Sequence, residues 1–270
     1  MNASLPSSVR LTVGIVSYNC AATIGQTVDS LVTNLPDGHD WRLIIFDNRS
    51  TDITPQILQR LAARDQRISV IANTRNLGFG RGHNAILQRV ASTFHIICNP
   101  DIRITPGAVN TLLNFMERHP RGGIVCPRVH YPSGDLQPLN RRLPNVFDLF
   151  LRRFAPALLR RRFKARMARY SMLDKGYACT CSVPFISGAF MTCRTQVLKA
   201  VGGFDQRYFL YFEDADLSRK VQMGGWQTLY CPEAVVIHEW QRAAHKDLRG
   251  MIMFMMSALR YFNKWGWKLS

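Results

Sequence analysis

At 270 residues, of which 47% are hydrophobic and 20% charged, the chain is long enough to bury a complete core and too apolar for a mostly disordered protein. Its 35 lysine and arginine residues outnumber its 18 acidic residues, and the net charge of +17 favours an anionic partner such as nucleic acid, a phosphorylated substrate or an acidic lipid surface. Seven cysteines without regular spacing argue against a disulfide framework and favour reduced thiols in a cytosolic protein.

The sequence carries no signal for export or membrane insertion. Its N-terminal stretch, MNASLPSSVRLTVGIVSYN, lacks a basic start, an apolar centre and a small-residue cleavage site. No apolar run approaches the ~20 residues that a membrane-spanning helix requires. We therefore expect a soluble or peripheral protein.

Strand and helix patterns alternate four times over about the first 120 residues. The strand patterns cover residues 10–19, 41–50, 67–74 and 94–101, and helical patterns follow them over residues 21–35, 51–63, 75–91 and 105–119. The last of these helices is predicted to have Thr105 as its N-cap and Pro106 at its first position. This alternation predicts a mostly parallel sheet with helices on both faces.

Polar groups end each predicted strand. In a parallel sheet, ligands bind outside the carboxyl ends of the strands. A turn explains any one of these endings, but it explains the whole set less well, so we predict a binding site at this edge. The endings are Ser17-Tyr18-Asn19, Asp47-Asn48, Asn73 and Asn99-Pro100-Asp101.

The second half of the chain has a different pattern, so we divide one continuous domain into residues 1–120 and 121–270. Strands and turns come first, and a basic helical stretch interrupted at Pro156 follows over residues 145–170. A strand, a helix and a glycine stop follow within residues 183–209. An acid-initiated helix then ends at Gly224-Gly225, an extended run covers residues 227–240, and the last helix is predicted over residues 248–265.

Six segments, in order, resemble the inverting glycosyltransferases of family 2, and in particular bacterial rhamnosyltransferase-like members. The segments are VGIVSYNCAATIGQTVDSL, IIFDNRSTD, NTRNLGFGRGHNAIL, ICNPDI, ISGAFMTCRTQVLKAVGGFDQRYFLYFEDADLSRKVQMGGWQTLYCPEAVVIHE and ALRYFNKWGW. The resemblance implies the GT-A fold, an α/β architecture with a mostly parallel, Rossmann-like central sheet. It also implies a nucleotide-sugar-binding first half and an acceptor-binding, catalytic second half.

The resemblance assigns a divalent metal, Mg²⁺ or Mn²⁺, to Asp101. Such an ion would neutralise the charge of the departing nucleoside diphosphate. Asn99 replaces the first acid of the family's DxD motif, so the protein offers few metal ligands. Mg²⁺ tolerates this, because it keeps several bound waters and is also coordinated by substrate phosphates. His238 stands where many relatives supply a further metal or diphosphate contact; the alternative is a structural histidine.

Three acids in four residues, Glu213-Asp214-Ala215-Asp216, offer a general base. The alternative is a negatively charged helix start with no catalytic role. The resemblance makes Asp214 the base, with Glu213 binding acceptor and Asp216 supporting the structure. The preceding aromatic run YFLYF is expected to shape a drier pocket.

The strand ends and a glycine-rich segment are the candidates for nucleotide-sugar recognition. We expect Ser17, Tyr18 and Asn19 to line the base and ribose, Asp47 to accept from the imide N–H of the base, and Asn48, Ser50 and Asp52 to hold the loop. The glycine spacing in NLGFGRGHN lets backbone approach a ligand, although it is not a phosphate-binding Walker loop. The remaining candidates are Asn76, Gly78, Arg81, Asn84, Asn99 and Gly188, with Arg75 as an alternative diphosphate contact.

A basic segment over residues 141–170 carries ten lysine and arginine residues and one acid, Asp148. It is either a solvated face, a nucleic-acid surface, for which aromatic interleaving is sparse, or an amphipathic helix on anionic lipid, which fits best. The last helix is expected to pack in the core, to form a homodimer contact or to touch membrane.

These patterns favour an inverting glycosyltransferase that moves a sugar, best rhamnose from dTDP-rhamnose, onto a lipid-linked glycan in O-antigen-like polysaccharide synthesis. The enzyme would sit at the inner face of the bacterial cytoplasmic membrane. A UDP-hexose donor is the alternative within this class. A basic nucleic-acid-binding protein and an inactive membrane scaffold are the alternatives outside it.

Overall fold

The computed structural model of the chain describes residues 9–35, 41–239 and 248–270. Residues 1–8, part of the stretch considered above as a leader, lie outside the described residues, as does Trp240, the end of the predicted extended run. The strands are β1 Leu11–Ser17, β2 Trp41–Asp47, β3 Ile68–Ala72, β4 Phe94–Cys98, β5 Ile102–Ile104, β6 Gly122–His130, β7 Cys181–Ser182, β8 Phe190–Arg194 and β9 Gln227–His238. The helices are α1 Ile24–Asn34, α2 Thr54–Arg64, α3 Phe79–Leu87, α4 Ala108–Arg118, α5 Val146–Arg153, α6 Ala157–Arg162, α7 Lys164–Tyr170, α8 Thr195–Ala200, α9 Glu213–Met223 and α10 Leu248–Trp265.

One sheet contains strands from both halves of the chain. Its order is β3-β2-β1-β4-β8-β6-β9-β5, with β7 paired to β9. The pairs among β3, β2, β1 and β4 are all parallel, which confirms the prediction for the first half. In the second half β6 and β9 pair in parallel, whereas β4–β8, β8–β6, β5–β9 and β7–β9 are antiparallel.

Helices cover both faces of the sheet. β1 is buried along its whole length, as expected for a strand with helices above and below. Alternate residues point to opposite faces. Val13 and Ile15 pack in a core with side chains of α1, α2 and α4, and Val16 packs with Phe46 of β2 and with Ile86 of α3 on the other face. α8 and α9 cover that second face further along the sheet.

Two helix predictions need correction. α4 begins at Ala108 after Gly107, whose φ is +76°, and not after a Thr105 cap. The Thr105 hydroxyl donates instead to the carbonyl oxygen of Val235 in β9, at 2.7 Å. The basic helical stretch breaks at Phe163 as well as at Pro156 and so forms three short helices.

The cysteine and membrane predictions can be compared directly with this structure. All seven cysteines are free, and four of them are buried, which confirms that no disulfide framework is present. Within the described ranges, no helix has both the length and the apolar character needed to cross a bilayer.

Candidate active site

Backbone hydrogen bonds join the end of β4 to the start of β8 and then to α9. The N–H of Asn99 donates to the carbonyl oxygen of Ala189 at 2.9 Å. The N–H of the preceding residue, Gly188, donates to Oδ2 of Asp214 at 3.0 Å. The fold therefore brings together Asn99, Gly188 and Asp214, although they lie far apart in sequence.

Asp101 and His238 face each other across the β5–β9 pair. Ile102 is in register with His238, and Asp101 Oδ1 lies 3.2 Å from His238 Nε2. Both atoms are buried, and neither has a hydrogen-bond partner of acceptable geometry among the described residues, so they approach without satisfying each other. On the other side of the ring, Nδ1 lies 2.8 Å from Oε1 of Gln137. With this amide oxygen as acceptor, the proton lies on Nδ1 and Nε2 keeps its lone pair, while Nε2 of Gln137 has no partner among the described residues.

This pair fits a divalent cation. A carboxylate oxygen and an imidazole lone pair, both buried and both unpartnered, converge on one point. Gln137 fixes the imidazole orientation in the way that metal-binding histidines require. The described residues offer no cluster of three or more His, Cys, Asp and Glu side chains. The remaining ligands would therefore be waters and substrate phosphates, as is usual for Mg²⁺.

Glu213 and Asp214, at the start of α9, form a coupled pair of carboxyl groups. Burial raises the pKa of Glu213 well above its ordinary value, and the neighbouring charge of Asp214 raises it further. Burial also raises the pKa of Asp214, but there the N–H groups of Gly188 and Ala215 oppose the rise. Asp214 accepts two N–H hydrogen bonds, whereas Glu213 Oε2 has no partner, so Asp214 is the better placed of the two to carry the negative charge. A partly buried, ionised carboxylate suits the role of general base.

The backbone before this pair is strained. Tyr211 and Phe212 both adopt the left-handed region, with φ of +71° and +66°. Each such conformation costs about 1–3 kcal/mol for a bulky residue and persists only when its surroundings enforce it. α10 enforces it here: Ser257 donates to the carbonyl oxygen of Leu210 at 2.8 Å, and the Phe254 ring packs on both aromatic rings.

The aromatic run Tyr208–Phe212 has both buried and exposed members, with Phe209 exposed, and its expected role as a pocket wall stays a prediction. Tyr208 and Phe212 are buried in a cluster with α5 and α10. Tyr208 and Phe212 support the turn that orients Glu213 and Asp214.

Asp216 has a separate, structural role. It is fully buried and accepts from Trp265 Nε1 and Lys264 Nζ, each at 2.7 Å, and from Tyr208 at 3.4 Å. It therefore anchors α10 to α9, in agreement with the supporting role expected for it.

The loops after β1 and β2 are held together by their own polar groups. Asp47 Oδ1 accepts from Ser17 Oγ at 3.0 Å and from Ser50 Oγ at 2.6 Å. Asn19 Oδ1 accepts from the N–H of Thr51 at 2.8 Å. Tyr18, at 50% exposure, presents its ring to solvent beside this network.

Asn48 and Asp52 hold the same loops, as predicted. Asn48 accepts from the N–H of Leu77 at 2.7 Å, and Asp52 accepts from the N–H groups of Ala21 and Thr54. The base contacts expected of Ser17, Tyr18, Asn19 and Asp47 stay predictions.

Comparison with known proteins identifies the family. The model of the family described as glycosyl transferase family 2 matches residues 12–202, well over half of the chain. The chain belongs to glycosyl transferase family 2. It is therefore a glycosyltransferase, as the resemblance implied.

Named relatives and solved structures agree with this family. The chain is 28% identical over 216 residues to the N-acetylglucosaminyl-diphospho-decaprenol L-rhamnosyltransferase of Mycobacterium tuberculosis, covering 76% of this chain and 68% of the relative. It is 25% identical over 259 residues to rhamnosyltransferase WbbL of Escherichia coli K12, covering 93% and 88%. The mannosyltransferase PcManGT of Pyrobaculum calidifontis, solved with GDP-Man and Mn²⁺, superposes with a TM-score of 0.65 at 17% identity, covering 96% of this chain and 67% of that one. The fold is GT-A.

The glycine-rich segment of this glycosyltransferase contacts protein where a ligand was predicted. A Cβ on Gly78, whose φ is +84°, would lie 2.1 Å from the carbonyl oxygen of Phe209. Asn76 Oδ1 accepts from the N–H of Gly78 at 2.9 Å. A Cβ on Gly188 would meet the Phe79 ring at 3.1 Å. The close approaches at these glycines are made by the chain itself, which for Gly188 favours the alternative of tight packing, and a donor contact at either glycine stays a prediction.

Asn84 and Arg81 also bind the chain itself. Asn84 donates to the carbonyl oxygen of Phe204 and accepts from its N–H, each at 2.8 Å. Arg81 Nε donates to the carbonyl oxygen of Gln206 at 2.6 Å. Because both amide atoms of Asn84 are occupied, its prediction as a nucleotide-sugar ligand is corrected to a clamp on the segment before α9. The Nε of Arg81 is likewise occupied, by the carbonyl oxygen of Gln206, and so is not available for the diphosphate contact predicted for this residue.

Replacing Gly78 by alanine is expected to destabilise the enzyme by about 2–4 kcal/mol, because a clash with backbone adds to a strained φ. Gly25 in α1 offers a matched control, since a Cβ there meets nothing within 4 Å and alanine favours a helix. Urea denaturation of both variants measures the difference. Equal stability of Gly78→Ala and wild type would contradict the contact with Phe209.

Residues that the sequence did not single out complete the site. Gln137 orients His238, and Arg141 and Arg152 carry positive charge beside Asp214. Both arginines had been counted only as members of the basic segment. The run LNRRLPN, placed between two parts of a sheet, was the available signal for Arg141.

Proposed function

We propose that this glycosyltransferase moves rhamnose from dTDP-rhamnose, with inversion, to a lipid-linked glycan in bacterial surface-polysaccharide synthesis. The observation that carries the proposal is the arrangement of Asp214 and the Asp101–His238 pair around the adjoining ends of β4 and β8. Two relatives are named rhamnosyltransferases, and the name of one specifies a diphospho-decaprenol acceptor. The similarity to these two relatives, at 25–28% identity, supports rhamnosyl transfer to a lipid-linked acceptor.

In the proposed mechanism, Asp214 takes the proton from the acceptor hydroxyl as that oxygen attacks the anomeric carbon from the face opposite the diphosphate. Glu213, which holds its proton, donates a hydrogen bond to the acceptor sugar. Asp101 and His238 would hold the divalent cation, which supplies charge neutralisation for the departing diphosphate. Ser17, Tyr18, Asn19 and Asp47 would bind the nucleoside, with the exposed Tyr18 ring as the stacking surface.

The donor proposal predicts metal-dependent stabilisation by one nucleotide. A panel of dTDP, UDP, GDP and their sugars, with and without Mg²⁺ or Mn²⁺, is measured by thermal shift. Ligand at 100 times its Kd is expected to add about 2.7 kcal/mol to the stability of the wild type. Asp101→Ala should lose the metal-dependent part of this gain.

Asp135→Ala removes an exposed carboxylate of a nearby turn and serves as the control, so it should behave as wild type. A shift with UDP and none with dTDP would favour the UDP-hexose alternative. No shift with any nucleotide would overturn the donor proposal.

We also propose that the enzyme works on the inner face of the cytoplasmic membrane, with a lipid-facing surface built from α5, α6 and α10. α10 exposes an apolar stripe, and its region, residues 248–270, contains four basic residues and no acid. Arg153 of α5 lies over the ring of Phe254 in α10, 4.9 Å from its centroid, so the two helices adjoin. Exposed members of this surface are Phe150, Phe154, Leu158, Met251, Ile252, Met255, Met256 and Leu259.

Charge favours lipid over a second copy of the chain at this surface. Apolar side chains ringed by lysine and arginine match an anionic bilayer. A homodimer through α10 would bring two sets of cations together. An open groove of about 670 Å³ on α6, lined by Pro156, Leu158, Leu159, Arg161 and Arg162, belongs to this surface and lies away from the acids.

Wild-type enzyme is expected to co-sediment with phosphatidylglycerol vesicles, and the double variant Ile252→Glu, Met255→Glu to lose most of this binding. Burial of each exposed apolar side chain contributes about 1–2 kcal/mol, and an acid adds repulsion. Met223→Glu changes an exposed methionine at the end of α9 and should not affect binding. A wild-type dimer that the double variant dissociates, without vesicle binding, would contradict the membrane proposal.

A further inference from the structure

Two arginines beside Asp214 lack an acidic partner. Arg141 is 9% exposed, and its Nη1 donates to the carbonyl oxygens of Asn140, at 3.0 Å, and Pro138. Within the described ranges, neither Arg141 nor Arg152 forms an ion pair with a carboxylate. A buried guanidinium without an ion-pair partner is costly, and burial lowers the pKa of Arg141 to about 10, although the charge of Asp214 opposes that fall.

The fold holds these two cations close to each other. The positive charge of Arg152 also lowers the pKa of Arg141, so the two guanidinium groups interact despite their like charge. Tyr170, which is 2% exposed, lies between the two segments: its hydroxyl oxygen accepts from the side chain of Arg152, and its carbonyl oxygen accepts at 2.9 Å from the N–H of Arg142, the residue after Arg141. Two guanidinium groups held close together, with no ion-pair partner for either, are typical of an anion-binding site.

The arginine pair lies on the side of Asp214. Arg141 forms an antiparallel bridge with Phe185, which leads to Gly188, and the N–H of Gly188 holds Asp214. The charge of Arg152 opposes the rise in the pKa of Asp214. The Asp101–His238 pair, in contrast, lies at the β5–β9 pair, where the donor diphosphate is proposed to leave.

We propose that Arg141 and Arg152 bind the diphosphate of the lipid carrier to which the acceptor sugar is attached. This inference rests on the proposed function. A sugar joined directly to a diphosphate places both phosphates within one ring of the hydroxyl that Asp214 deprotonates. Arg152 also belongs to α5, whose exposed Phe150 and Phe154 form part of the lipid-facing surface. Guanidinium forks match phosphate oxygens in pairs, so two arginines suit one diphosphate.

Calorimetric titration tests this site without turnover. Farnesyl diphosphate is the acceptor-side probe, and dTDP with Mn²⁺ is the donor-side probe. Arg141→Met and Arg152→Met are each expected to weaken farnesyl diphosphate binding by about 10- to 100-fold, the range for a lost charge-assisted hydrogen bond. Binding of dTDP should change less than about twofold, because dTDP is proposed to contact the loops after β1 and β2 and the Asp101–His238 pair and not these arginines.

Arg60→Met, an exposed arginine on α2 outside the lipid-facing surface, serves as the control and should keep both affinities. Arg152 is exposed and Arg152→Met should fold normally, so the test survives if Arg141→Met does not fold. Loss of dTDP affinity with unchanged farnesyl diphosphate affinity would overturn the inference and move the pair to the donor. Equal losses of farnesyl diphosphate affinity in Arg60→Met and Arg152→Met would overturn the inference in favour of a general charge effect. Failure of wild type to bind any nucleotide would instead count against the proposed donor, while farnesyl diphosphate binding would still report on this pair.

Discussion

Asp214→Asn is expected to slow sugar transfer about a thousandfold, within the range that a positioned general base contributes. Asparagine has the size of aspartate and keeps one oxygen for the N–H of Gly188 or Ala215. Its Nδ2 then faces the other N–H, which costs about 1–3 kcal/mol of stability. The protein should therefore fold and bind nucleotide, because the metal pair and the loops after β1 and β2 are untouched. Single-turnover assays beside nucleotide titrations measure both quantities.

The pH profile of the same enzyme gives a second readout. A base must be unprotonated, so kcat/KM rises with pH through the pKa of Asp214. Burial raises that pKa, so the acidic limb should lie above the value of about 3.9 that is ordinary for aspartate. Asp214→Asn should lack this limb in its residual activity. A variant that retained the limb and most of the rate would remove Asp214 from the chemistry.

Asp216→Ala is expected to lower the free energy of unfolding by about 3 kcal/mol. This value is the low end for breaking a buried ion pair, because Lys264 keeps Asp205 at 2.8 Å. The indole N–H of Trp265 and the ammonium of Lys264 would lose a fully buried acceptor. For a protein of this size, the melting temperature should fall by about 6–12 °C. Calorimetry measures it.

Asp174→Ala removes an exposed partner of Arg142 and serves as the control, so its melting temperature should match that of wild type. Activity of Asp216→Ala should fall only as far as its folded fraction falls at the assay temperature. Loss of activity in an enzyme as stable as wild type would mean that Asp216 takes part in catalysis.

Residues that start or stop a helix made several elements predictable from the sequence. α9 starts at its acids and stops at Gly224-Gly225, and α10 covers the predicted residues 248–265. Alternation of strand and helix was sufficient for the parallel half of the sheet. The placement of β8 between β4 and β6 was not predictable in the same way, because it depends on pairing between distant segments. The three residues of β5 are too few for a periodic signal.

In the candidate site, too, residues in local motifs were predictable, and residues with partners distant in sequence were not. Asp101 and Asp214 stand in motifs whose spacing is visible in the sequence, and the resemblance assigned them. Asn84 was misassigned because its partner, Phe204, is 120 residues away. Gln137 was missed because it meets His238 across 101 residues. A polar residue in a glycine-rich loop has the same appearance in sequence whether its partner is backbone or ligand.

The Asp101–His238 pair has a consequence for the chain as a polymer. The two side chains lie about half the chain length apart in sequence, and only the folded sheet brings them together. A cation bound there would act as a removable cross-link that closes a long loop, and an unfolded chain could not offer the same two ligands. Chelation would then loosen the edge formed by β5 and the end of β9. Resistance to proteolysis would vary with the metal content of the buffer even when no sugar is being transferred.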